Sequence, residues 1–97
     1  MSKEKLDPNE RIKRAVDSEI EQVYFNGFAV GAGTGDVVII LEKNGKPIQV
    51  LNASYTIAKT LSQKLAGIIK GVESATENEI MSTDYIEKKI AAKKEPK

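Results

Sequence analysis

The 97-residue chain contains no cysteine and no histidine. Without cysteine there is no disulfide, thiol redox chemistry or thiolate nucleophile, and without histidine the usual Ser-His-Asp and Cys-His systems are excluded too. Conventional zinc sites, built from the same two residue types, go with them. Only carboxylate or lysine chemistry remains. An excess of one charge is also lacking: 15 Lys+Arg against 14 Asp+Glu leave a net +1. That balance argues neither for nor against nucleic acid, whereas a dedicated DNA-binding domain carries a clear basic face. Long hydrophobic runs are missing as well. The longest purely aliphatic stretch, Val37 to Leu41, falls far short of the roughly 20 residues a membrane-spanning helix needs. The start, Met1-Ser2-Lys3-Glu4-Lys5, has no apolar stretch behind it, so the expected setting is cytoplasmic, with no membrane attachment and no meaning in the Asn52-Ala53-Ser54 sequon.

What is present divides into three segments. Residues 1–22 are charged with mixed signs. Within them Asp7-Pro8-Asn9-Glu10 predicts a helix start, with Asp7 as cap and Pro8 at the first helical position. Ile12, Val16 and Ile20 then recur every four residues as a narrow apolar stripe. Residues 23–73 hold the expected core domain. Val23 to Val30 reads as a strand, Gly31-Ala32-Gly33-Thr34-Gly35 as a glycine-dense loop, and Asp36 to Leu41 as a second strand. Asn44-Gly45 predicts a two-residue hairpin turn, because both central positions of a type I′ turn need positive φ. A third strand runs from Lys46 to about Leu51. Ser54 then caps a helix whose Ile57, Leu61, Leu65, Ile68 and Val72 mark one face. Residues 74–97 read as a linker and a charged tail, in which Ser82-Thr83-Asp84 could cap a short helix and residues 91–97 are expected to be disordered. The expected fold class is α+β: a three-stranded antiparallel meander followed by one long amphipathic helix, with a short N-terminal helix and charged tails.

The middle strand carries the functional implication. An antiparallel sheet with one solvated face alternates apolar with polar residues. Here Val37, Ile39 and Leu41 point one way and Val38 and Ile40 the other, and all five are aliphatic. A single helix covers one face only. Leaving the other in water forgoes about 1.5–3 kcal/mol for each large side chain. The cover is the N-terminal stripe, the C-terminal segment or another copy of the chain. A domain this small, with no disulfide or metal to staple it, favours the copy. Gly67 beside Ala66 in the main helix would permit the close approach of another helix, at a cost of about 1 kcal/mol against alanine. Val37, Val38, Ile39, Ile40, Leu41 and Gly67 are therefore the candidate interface.

Other chemistry is weaker. Gly31, Gly33 and Gly35 could turn backbone amides toward an anion, but the Gly-Lys-Ser/Thr ending of a P-loop is missing and a strand follows where a helix should. Asp36, Glu42 and Glu73 are carboxylates without a nucleophile to serve. Tyr24, Asn26 and Phe28 share one side of the expected first strand, yet no Arg or Lys among the second strand's aliphatic residues accompanies them for base stacking. Lys88, Lys89, Lys93 and Lys94 read as a solvated tail. No catalytic, metal or cofactor site emerges.

Tyr24-x-Asn26, Asp36 opening an aliphatic strand, and Ser54 followed by Ala58-Lys59-Thr60-Leu61, Leu65, Ile69 and Glu73 form a pattern that resembles the short bacterial family called domain of unknown function 3467. The likeness covers about residues 20–74. Val37 stands where that family favours Phe, Tyr55 where it favours Pro, and the middle turn is shorter. The resemblance implies a strand-strand-strand-helix domain without assigned enzyme activity or agreed ligand. Two functions follow as expectations. The first is a non-catalytic, self-associating interaction module whose partner is its own copy or another protein. The alternative is a binder of a small anionic ligand or nucleotide held by Asn26, Gly31, Gly33, Gly35 and Lys59. Nucleic acid is the least favoured partner.

Overall fold

The computed structural model describes residues 7–94; residues 1–6 and 95–97, the outer ends of the two charged tails, lie outside the described residues. The element order is α1 (Pro8–Asp17), β1 (Gly27–Ala32), β2 (Asp36–Lys43), β3 (Lys46–Ser54), α2 (Tyr55–Thr76) and α3 (Thr83–Lys94). The strands form one sheet in the order β1-β2-β3, an antiparallel meander followed by the long helix, as the α+β reading requires.

Short polar residues set most of the boundaries. Asp7 Oδ1 accepts from the amides of Asn9 at 2.7 Å and Glu10 at 3.1 Å, satisfying two of the free donors at the start of α1. Ser54 Oγ does the same for Ile57 at 3.2 Å, so β3 runs into α2 without a loop. Ser82 Oγ accepts from the Tyr85 amide at 3.2 Å to open α3. Asn44 (φ 54) and Gly45 (φ 83) both take the left-handed conformation, which the two-residue turn between β2 and β3 demands. That turn pairs Lys43 with Lys46. It places Leu41 opposite Ile48 and Ile39 opposite Val50 on one face, with Ile40 opposite Gln49 and Val38 opposite Leu51 on the other.

Several boundaries differ from the sequence reading: β2 runs on from Leu41 to Lys43, and β3 from about Leu51 to Ser54. Strand β1 begins at Gly27 rather than Val23 and runs through Gly31 to Ala32, so the glycine loop shortens to Gly33–Gly35. Helix α1 ends at Asp17, which leaves Ile20 off the stripe begun by Ile12 and Val16. Ser18 stops it, its Oγ donating to Ala15 O at 2.7 Å while accepting from the Ile20 amide at 3.1 Å. Helix α2 continues to Thr76 and closes with Glu77 in the left-handed region (φ 55), where the amides of both Glu77 and Asn78 reach Glu73 O. Residues 91–94, expected to be disordered, belong to α3.

The chain divides into two compact units. One comprises the chain through Gly33 together with Val38–Asn52; the other comprises Thr34–Val37 and the chain from Ala53 onward. In the second, Glu73 Oε2 accepts from the Ile80 amide at 2.9 Å and ties the end of α2 to the segment before α3. Among the described residues no helix is long and apolar enough to cross a membrane.

Candidate self-association surface

Leu41, in the middle strand, is the one buried hydrophobic residue among those described, at 6% exposure. Asp36 through Ile40 are half-buried. Flanking strands screen the edges of β2 but not its faces, because backbone pairing runs in the plane of the sheet while side chains project above and below it. Both faces stay apolar beyond β2. Ile48 and Val50 continue the Leu41 face, Leu51 continues the Val38 and Ile40 face, and all three are exposed. On β1, Phe28 and Val30 are 62% and 63% exposed. Sequence reasoning concentrated on β2 and missed these outer-strand residues; Ile48-x-Val50 and Phe28-x-Val30, each alternating at period two, were the signal.

The second unit repeats the pattern on helices. Leu61, Leu65, Ile68, Ile69 and Val72 share one side of α2 and all are exposed, as are Tyr85, Ile86 and Ile90 on α3. In all, 22 large hydrophobic residues among those described are exposed by 38–72%.

The expected interface residues do not all fall on these surfaces. Val37, Val38, Ile39, Ile40 and Leu41 lie in β2 as anticipated. Gly67 does not join the apolar side of α2: at 100° per residue it stands about 120–160° from Leu61, Leu65 and Val72, among Thr60, Gln63 and Gly71. A Cβ at Gly67 would meet nothing within 4 Å. Gly67→Ala is therefore expected to stabilise the protein by about 1 kcal/mol, the helix-propensity difference, read as a higher urea midpoint. Destabilisation would place a packed neighbour at Gly67.

The residues of the alternative ligand reading are distributed as follows. Asn26 is occupied structurally. Its Oδ1 accepts from the Asn44 amide at 2.9 Å and its Nδ2 donates to Asn44 Oδ1 at 3.0 Å. Its own amide donates to Glu42 O at 3.0 Å. Asn26 thus fastens the entry to β1 onto the β2–β3 turn, satisfying the turn's backbone from 18 residues away. This clamp explains why β1 begins only at Gly27. Gly31 lies within β1, and Gly33 and Gly35 lie in the short connection. Lys59, for which burial would have been notable, is exposed on α2 and belongs to the other unit from Asn26. Shallow depressions run along α1, lined by Pro8, Arg11, Ile12 and Ala15, and along α3, lined by Ser82, Tyr85, Lys88 and Ala91. No buried side-chain nitrogen or oxygen among the described residues lacks a partner, and no metal-holding group of three carboxylates occurs there. Removing the clamp with Asn26→Ala is expected to cost about 1 kcal/mol, a drop in Tm of about 4–8 °C for a domain of this size. Asn26→Asp, which keeps the acceptor for the Asn44 amide, should lose less.

Comparison with known proteins finds no matching family model, curated protein or solved structure. The likeness to the domain of unknown function 3467 family therefore rests on the motif residues alone. Within that motif Asn26 holds the turn and Ser54 caps α2, which are both architectural duties.

Proposed function

We infer that this chain is a non-catalytic binding module whose working form is an assembly of its own copies, with the cytoplasm, where a cysteine-free chain forgoes no disulfide, as its setting. One observation supports the reading above all. A single buried hydrophobic residue stands against 22 exposed large ones among the described residues. Completing the burial of a half-exposed Ile, Leu, Val or Phe is worth about 1 kcal/mol, so covering most of the 22 offsets the roughly 4–15 kcal/mol that association costs.

Size-exclusion chromatography with light scattering decides the matter. The expected result at micromolar concentration is a mass at least twice 10.6 kDa, with a Tm that rises as protein is added. A cooperatively folded monomer whose Tm ignores concentration would overturn the reading.

A further inference from the structure

The two edges of the sheet are treated differently. Strand β3 opens with Lys46-Pro47, the charge and missing amide that discourage another strand from adding to an edge. Strand β1, Gly27-Phe28-Ala29-Val30-Gly31-Ala32, has no charge and no proline. Its inner edge pairs with β2, and among the described residues no backbone hydrogen bond outside the sheet involves any residue of β1. Four of its six residues are Gly or Ala, so a second backbone can approach closely. An unguarded edge on one side of a sheet guarded on the other invites one specific strand.

We propose that this strand is β1 of a second copy, added antiparallel across a two-fold axis to make a continuous six-stranded sheet. Self-pairing of antiparallel strands about a two-fold axis perpendicular to the sheet places one residue opposite its own counterpart and keeps equivalent faces together. Centring on Ala29 sets Phe28 opposite the second copy's Val30, and Val30 opposite its Phe28. These are the two large side chains of the strand, exposed by 62% and 63%, and aromatic on β-branched is a favourable cross-strand pair. Gly27 falls opposite Gly31, where a Cβ would meet nothing within 4 Å. The strand is thus complementary to its own reverse. Joining two sheets edge to edge also doubles the width of both apolar faces, which then present a broad enough surface to bury area of the size a stable dimer needs. The inference rests on the self-association proposed above and adds the contact that sets its register.

The test uses the full chain and a single introduced thiol, unambiguous because the sequence has no cysteine. Ala29→Cys, oxidised with diamide, should form a covalent dimer rapidly, since Cα atoms directly opposite in an antiparallel pair lie about 4.5–5.5 Å apart. Gln63→Cys on the polar side of α2 should remain unlinked. Ala29→Lys should weaken self-association by about tenfold or more, with circular dichroism unchanged, because it brings two like charges face to face. Mixing Ala29→Lys with Ala29→Glu should restore a heterodimer. An assembly that persists by light scattering but neither links at position 29 nor responds to the charge pair would overturn this pairing and leave self-association standing. Equal linking at positions 29 and 63 would also overturn it. A folded monomer of the unmodified chain would remove both.

Discussion

Leu41→Ala is expected to lower the folding stability by about 2–5 kcal/mol and to do so equally at every protein concentration. Leu41 is the one hydrophobic residue among those described that the chain buries by itself, at 6% exposure. It sits on β2 two positions before the Lys43–Lys46 closing pair of the turn, opposite Ile48, where the strands are held in register by Asn44, Gly45 and the Asn26 clamp. Truncation removes about three methyl-sized groups from a buried site, where a transfer term and a cavity term add. For a chain of this length that loss is a large share of total stability. Urea unfolding followed by circular dichroism at two concentrations tenfold apart reads it. A change below 1 kcal/mol would mean that Leu41 is not the anchor of this sheet, and a loss that vanished at high concentration would assign it to the interface between copies.

Elements announced by a local chemical requirement were legible in the sequence. Asp7-Pro8, Asn44-Gly45, Ser54 and Ser82 each act on amides two or three residues away, or set their own φ, and each does in the structure what its residue type demands. Boundaries fixed from a distance were not legible. Val23 to Asn26 has strand composition, but Asn26 spends its side chain on Asn44, 18 residues on, and no local pattern encodes that. Helix α2 overran its expected end because Ser74, Ala75 and Thr76 tolerate helix and the left-handed residue that closes it is Glu77, where glycine would have given the signal. Residues 91–94 read as disordered from their place in a lysine-rich tail, although Ala91-Ala92-Lys93-Lys94 are all good helix formers and belong to α3. The candidate surface was half legible. Two-sided hydrophobicity of β2 could be read directly, while its extension over Phe28, Val30, Ile48, Val50 and Leu51 needed the strand order and the turn register.

Lysine placed on either side of the middle strand is expected to abolish assembly. Ile39 and Ile40 are consecutive in β2 and project to opposite faces. In a sheet with one solvated face, one of Ile39→Lys and Ile40→Lys would be harmless, because a lysine can carry its charge into water at little cost. Here both positions are half-buried, with Val50 and Leu41 beside Ile39 on one face, and Leu51 and Val38 on the same face as Ile40, which stands opposite Gln49. A charge introduced at the centre of either face must be desolvated when that face is covered, at several kcal/mol, which corresponds to a weakening of self-association by about 100-fold or more. Neither change removes a hydrogen bond of the sheet, so β structure should survive in proportion to whatever stability the monomer retains. Light scattering of the two variants beside Lys43→Ala, an exposed position at the end of the same strand, makes the comparison. Two dissociated variants and an assembled control are expected. If one lysine variant assembles as well as the control, that face meets water in the functional protein, and the cover is needed on the other face alone.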